Sequence, residues 1–234
     1  MADIICIIPA RSGSKRLHNK NMRLLSGKSL VHRAMEAAMQ SKRIDHIILS
    51  SDSKAILDQA KLVSERVMTL IRPAALTTDE SPAIDYVKHC IEWLRKSKDI
   101  QVSEVVIVQP SSPFTTGTDI DATLDVREFL GADCAVSVCE VPHHLHPAKF
   151  KRLQEGKLIP YFETENGRTA YHEMERIYVR NGSVYVSTLK LVDQGILLND
   201  NCAAHIMPTS RSLDINDEMD WRFAEFMIQS SVSS

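Results

Sequence analysis

Residues 4–8 read Ile-Ile-Cys-Ile-Ile, an unbroken apolar run with no polar position to mark a wet face, and this predicts a strand covered on both sides. Residues 44–51, 67–71, 105–108 and 134–141 read as further strands. Between them the apolar positions recur at helical spacing. Residues 54–65 predict a helix capped by Asp52 or Ser53. A second helix starts at Ser81-Pro82 and runs to about Lys98, with Ile84, Val87, Cys90, Ile91 and Leu94 on one face. Thr118-Asp119 opens a third, ending near Leu130. Such alternation predicts an α/β fold with a mostly parallel sheet and right-handed crossovers.

After Val141 the pattern changes. Residues 149–162 predict a hairpin around Glu155-Gly156-Lys157, and 179–187 a β-rich return containing Asn181-Gly182. Residues 221–228 form a last amphipathic helix, and 230–234 a frayed tail. With no repeat or linker, residues 1–234 read as one domain, in which about 142–180 form an arm on the sheet or a dimer contact. A chain of 234 residues, 44% of them hydrophobic, suffices for one well-buried core. The net charge of −2 argues against nucleic acid as the main partner. No apolar run approaches the ~18 residues of a membrane span, and Met-Ala-Asp does not open a signal peptide. The five cysteines are scattered and form no C-x-x-C, which suits a reducing cytoplasm.

Charge changes this picture at one place. Between Ile4 and Met35 stand seven basic residues, Arg11, Lys15, Arg16, Lys20, Arg23, Lys28 and Arg33, and no acidic one. Gly13, between Ser12 and Ser14, gives a turn whose N–H groups can face an anion. A basic Gly/Ser loop between a buried strand and a helix start predicts a phosphate cradle. Residues 72–79 and 109–116, polar and Pro-containing, follow two other strands and converge on the same crevice. There Gln109, Ser111 and Ser112 can read a base or sugar, so the ligand is expected to be a nucleotide. Residues 214–220 hold four carboxylates. Asp214 and Asn216 alternate on one face and suit Mg²⁺, which takes one or two protein carboxylates plus substrate phosphates. Asn216 or Asp217 equally suits the cap of the last helix, with Glu218 in its first turn. His143-His-Leu-His146 invites zinc but has no second Cys/His pair at structural spacing. Hydrolase signatures such as G-x-S-x-G are missing.

Several short motifs then stand in order: Ala10-Arg-Ser-Gly-Ser-Lys15 with Lys20-Asn21, Arg72-Pro73 with Thr78-Asp79, and Gln109-Pro-Ser-Ser-Pro113. Further on come His146-Pro147-x-Lys149, Asn181-Gly-Ser-Val-Tyr185 and Asp214-Ile-Asn-x-x-x-Asp220-Trp221. In these the chain resembles the acylneuraminate cytidylyltransferases and their legionaminic and pseudaminic acid relatives, over nearly its whole length. The resemblance implies a Rossmann-like, mostly parallel sheet of the nucleotide-diphospho-sugar transferase type with a β-rich dimerisation arm. It implies CTP as donor, a nine-carbon keto-acid sugar as acceptor and Mg²⁺ as cofactor. By position, Arg11, Ser14, Lys15, Lys20 and Asn21 would hold CTP, and Arg72 and Ser81 would lie near its base. Gln109 would face the sugar, Lys149 its carboxylate and Asn181 its polar groups. Arg168 would replace the arginine of a sugar-contacting stretch that residues 169–175 do not reproduce. Asp214 would bind the metal, with Asn216 standing where the family has a second aspartate. Arg11, Lys15, Gln109 and Asp214 would thus carry catalysis. Arg16 and His18 stand where many members have Gly and Pro. The alternatives are a CMP-Kdo synthetase, acting on the eight-carbon analogue, and a non-catalytic nucleotide-binding homologue.

Overall fold

The first apolar run forms β1 (Asp3–Pro9), in which Ile5, Cys6, Ile7 and Ile8 are wholly buried. The computed structural model describes residues 2–14, 16–162 and 174–232. After β1 come a ribbon of β2 (Leu24–Leu25) and β3 (Lys28–Ser29), α1 (Leu30–Gln40) and β4 (His46–Ser51). Next are α2 (Lys54–Leu57), β5 (Val67–Ile71), α3 (Ala83–Lys98), β6 (Val102–Val108), α4 (Gly117–Phe129) and β7 (Cys134–Glu140). The described chain ends with β8 (Lys151–Gln154), β9 (Lys157–Pro160), β10 (Tyr178–Thr188), α5 (Leu189–Asp193), β11 (Cys202–Ile206) and α6 (Glu218–Val232).

Seven strands form the main sheet in the order β11-β7-β10-β6-β1-β4-β5. Only β10 runs antiparallel to its neighbours β6 and β7. Successive side chains of β1 point to opposite faces, so Ile5 and Ile7 meet Val87 and Leu94 of α3 and Val192 of α5. Cys6 and Ile8 meet Val31 and Met35 of α1 and Ile120 and Leu124 of α4 on the other face. Each such isoleucine contributes roughly 1.5–3 kcal/mol by leaving water. A third cluster joins Leu17, Leu25 and Leu30 to Ile215, Trp221 and Ala224. It ties the basic segment after β1 to α6 and so fixes one wall of the functional cleft.

The structure departs from the sequence reading in several places. The helix expected over 54–65 is one α-turn followed by a 3-10 segment, Asp58–Leu62. Asp52, a candidate cap, instead accepts from Ser12 N and Ser12 Oγ, both at 2.8 Å, and Ser53 makes no side-chain cap either. The basic loop does not lead straight into a helix: α1 begins at Leu30, with Ser29 as its cap, beyond a short 3-10 turn and the β2–β3 ribbon. Gly13 does not adopt a left-handed conformation, and a Cβ there would meet nothing, so the loop's shape comes from Ser12 on Asp52 instead. β11 is an edge strand the sequence did not announce, its Cys-Ala-Ala-His-Ile lacking the bulk of a central strand.

The predicted hairpin exists as β8 and β9, turning through Glu155 and Gly156 at φ 50° and 78°. Two consecutive positive φ values are those of a type I′ turn, which glycine accepts at its second position. The pair forms a sheet of its own, and every residue in its strands is exposed.

Candidate active site

The carboxyl ends of β1, β5 and β6 release the segments 10–23, 72–82 and 109–116 on one side of the sheet. They enclose a cleft of about 560 Å³. Arg11, Ser14, Lys20 and Asn21 line it from the first segment, Arg72 and Ser81 from the second, and Gln109 and Ser111 from the third. Asn216, just ahead of α6, completes the wall. These positions come from widely separated parts of the chain, and the sheet brings them together. Lys15 and Arg168 lie outside the described residues.

The cleft is strongly cationic. Asp79 is the one carboxylate among its described lining residues, and it pairs with Arg11 at 2.6 Å. Asn21 Nδ2 donates to the Arg11 carbonyl at 2.9 Å, holding the loop in shape from within. Lys20 Nζ donates to the Ile215 carbonyl at 2.7 Å. Burial lowers the Lys20 pKa from its ordinary value, and the nearby Arg16 and Arg11 add to this, while Asp214 and Asp220 oppose it. A bound polyanion would relieve that repulsion. Arg72 is buried, with Nε on Ser50 Oγ at 3.2 Å and Nη2 on the Ser50 carbonyl at 3.0 Å, and its guanidinium lies 4.4 Å from the Tyr86 ring centroid. Burial lowers the Arg72 pKa and raises that of the Tyr86 hydroxyl. The Ser81 hydroxyl donates to the Ala75 carbonyl at 2.9 Å, closing the 72–82 segment on itself.

Asp214 stands behind this wall. Its Oδ2 accepts from Asn216 Nδ2 at 2.9 Å, while its Oδ1 is buried without a hydrogen-bond partner. The side chain leans over Gly182, which has φ +72°; a Cβ at that position would lie 3.4 Å from Asp214 Cγ. Glycine is favoured there by its backbone conformation, since the approach to Asp214 would leave a Cβ in ordinary contact. Asp217 caps α6 through Met219 N at 2.9 Å and Asp220 N at 3.0 Å. Asp220 Oδ2 turns back to Asn216 N at 2.7 Å and Asp217 N at 3.2 Å. Of the carboxylates in this segment, Asp217 and Asp220 thus serve the helix start, and Asp214 keeps a vacant acceptor.

Two expected substrate residues lie elsewhere. Asn181 is buried, with Oδ1 accepting from Ser137 Oγ at 2.7 Å and Nδ2 donating to Ser212 Oγ at 2.9 Å, so its amide pins β10 to β7 and does not line the cleft. Lys149 ends a 3-10 turn in the arm, where its Nζ meets His143 Nδ1 at 3.1 Å, away from this cleft. Of the histidines considered for zinc, His143 meets Lys149, and His146 Nδ1 accepts from Ala148 N at 3.2 Å while its Nε2 donates to the Glu175 carbonyl at 3.1 Å. Arg16, Asp52 and Tyr86 were not singled out for the site by sequence reasoning. Only Arg16 carried a signal, as a member of the basic run.

Comparison with known proteins bears on family and fold. The sequence family described as cytidylyltransferase matches residues 5–180. The CMP-N,N'-diacetyllegionaminic acid synthase of Legionella pneumophila is 33% identical over 231 residues, across 97% of this chain and 96% of that protein. The N-acylneuraminate cytidylyltransferase of Escherichia coli is 31% identical across 94% of this chain, which spans 51% of that longer protein. Among solved structures, CMP:2-keto-3-deoxy-manno-octonic acid synthetase complexed with CTP has a TM-score of 0.71 over 98% of this chain and 100% of that one. At 12% identity, that likeness is one of fold alone.

Proposed function

The chain belongs to the cytidylyltransferase family, and from that premise we propose that it transfers CMP from CTP to the anomeric hydroxyl of a nonulosonic acid, releasing pyrophosphate. The observation that carries this reading is the convergence of Arg11, Arg16, Lys20 and Arg72 on one cleft at the carboxyl ends of parallel strands. In the reaction the sugar oxygen bonds to the α-phosphorus and the bond from that phosphorus to the bridging β-phosphate oxygen breaks. Negative charge builds on the leaving pyrophosphate, and preplaced cations stabilise it without reorganising. Arg11 exchanges Asp79 for phosphate, a charge-assisted contact in either state. Lys20, anchored through its hydrogen bond to the Ile215 carbonyl, serves the same charge. Lys15 extends the loop by its place in the sequence. Arg72 and Ser81 shape the base end of the cleft, and Gln109 orients the acceptor.

Asp214 fits a divalent cation, since Oδ1 is a buried acceptor without a donor. Among the described residues no group of three or more His, Cys, Asp or Glu side chains is placed to hold a metal, so phosphate and water oxygens would supply the other ligands. Mg²⁺ held there would offset phosphate charge and lower the pKa of a bound hydroxyl. The Asn216 oxygen already accepts from Arg16, which leaves Asp214 as the main metal candidate.

The acceptor is assigned from the legionaminic and N-acylneuraminate relatives. The working unit proposed is a homodimer in which the arm brings Lys149 to a neighbouring cleft. A cytoplasmic setting suits the free cysteines, and no helix among the described residues is long and apolar enough to cross a membrane. The test is incubation with CTP, Mg²⁺ and a panel of eight- and nine-carbon keto-acid sugars, followed by pyrophosphate release and product mass. CMP-nonulosonate is the expected product. Turnover of the eight-carbon acid alone would make the protein a CMP-Kdo synthetase, and CTP binding without turnover of any sugar would make it a binding module.

A further inference from the structure

Asn216 lies between groups of opposite charge. Its Oδ1 accepts from Arg16 Nη2 at 2.9 Å, and its Nδ2 donates to Asp214 Oδ2 at 2.9 Å and to the Asp214 carbonyl at 3.2 Å. A guanidinium has only donors and a carboxylate only acceptors, so a reversed amide would lose both contacts. The backbone beneath is fixed as well, because Asn216 N donates to Asp220 Oδ2 at the start of α6. One side chain thus couples a basic-loop arginine, 200 residues away in sequence, to the carboxylate with the vacant oxygen.

Arg16 differs from the other arginines of this region. Arg11 faces Asp79, and Arg23 makes a two-pronged pair with Glu218. Arg72 is buried against Tyr86. Among the described residues Arg16 has a neutral amide as its acceptor, and it is an exposed residue on the cleft wall. One neutral acceptor fixes the direction of a guanidinium while leaving its charge uncompensated and other N–H groups available. An aspartate at 216 would pair with that charge in the free protein and set two carboxylates face to face.

We propose that Asn216 is a positioning residue that holds Arg16 over the cleft as a phosphate-binding group while orienting Asp214, so that Arg16 contributes to CTP affinity before any metal is present. The inference rests on the nucleotide reading of the cleft. It departs from the expectation that Asn216 serves chiefly as a metal ligand, for which restoring a carboxylate would be harmless or helpful.

The test is equilibrium binding of CTP to the full chain in EDTA, by calorimetry, with cytidine as the phosphate-free control. Arg16→Ala should weaken CTP binding about 10-fold or more, the loss expected for a charge-assisted contact, and leave cytidine unaffected. Arg16→Lys should recover part of the loss. Asn216→Asp should also weaken metal-free CTP binding, and by less in the Arg16→Ala background, because part of its effect runs through the guanidinium and the rest is the negative charge it adds to the cleft wall. Unchanged CTP affinity in Arg16→Ala, or tighter metal-free binding in Asn216→Asp, would overturn the proposal. Failure of the unaltered protein to bind CTP would instead bring down the nucleotide reading beneath it. Arg16 is exposed and its removal should leave the melting temperature in place, and Asn216→Asp supplies an independent readout.

Discussion

Asp214 has one carboxylate oxygen satisfied by Asn216 and the other buried without a partner. An unpaired buried acceptor costs about 1–3 kcal/mol, a cost that a divalent cation bound there would remove. Asp214→Ala is expected to abolish turnover while leaving the melting temperature unchanged or raised. Asp217→Ala, which removes a helix cap, should retain turnover and lose about 1 kcal/mol of stability. Initial rates and denaturant titrations on the two variants check the pair; the opposite pattern would move the metal to Asp217. At this scale the cleft's cations were legible, because a dense basic run directly after an apolar strand is a local signal. Asp52 was not, since its partner Ser12 is 40 residues away in sequence and nothing local marks the contact. Asn181 shows the limit of motif matching. It gives a place in the chain, whereas the neighbours that decide a role, here Ser137 and Ser212, depend on the fold.

Among the elements, α4 is tied to the far edge of the sheet through Asp119. This nearly inaccessible residue closes the capping box with Thr116 and accepts from Arg211 Nη2 at 2.6 Å and Nε at 3.2 Å, with His205 Nε2 at 3.5 Å. Burial alone would raise its pKa, but the hydrogen bonds from His205, Arg211 and Thr116 outweigh it and hold the carboxyl well below the usual range. A depressed folded-state value means that the stabilisation is complete above the unfolded value of about 3.9 and is lost as pH falls from there through the folded value. Urea midpoints of the unaltered protein should therefore fall steeply below about pH 4. Asp119→Asn should lose about 2–3 kcal/mol at neutral pH, discounted for the partly open Arg211, and show a flatter acid limb. Equal acid limbs would place the protonation elsewhere. Long apolar runs and helical spacing made β1, β4, β6, β7 and α3 readable from the sequence. α2 starts at Lys54 as expected but gives way to a 3-10 segment after Leu57, which apolar spacing alone does not distinguish from α-helix, and β11 stayed hidden because an edge strand of small residues carries little periodic signal.

The whole molecule presents a concentrated apolar surface at the arm. Leu153 and Leu158 are 76% and 71% exposed, and Phe150, Ile159, Tyr161 and Phe162 are open as well. A two-stranded unit is marginal by itself in water, and patches of this kind on soluble chains mark interfaces. Light scattering should give about twice the 26.3 kDa of one chain. Mixing inactive Arg11→Ala with inactive Lys149→Ala chains should restore part of the activity if each cleft borrows its neighbour's lysine. A fully active monomer would refute the dimer, and failed complementation within a proven mixed dimer would refute the borrowing. The arm's place in the sheet has a further consequence. The chain leaves the sheet after Glu140 and re-enters at Tyr178, its direct ladder partner, and Val141 N donates to the Ile177 carbonyl at 2.9 Å. The excursion is therefore pinned by ladder hydrogen bonds where it leaves and re-enters the sheet. Doubling such a loop costs only about 0.6 kcal/mol in closure entropy. Evolution is thus free to lengthen, trim or rewrite this insert while the strands that carry the nucleotide cleft keep their register.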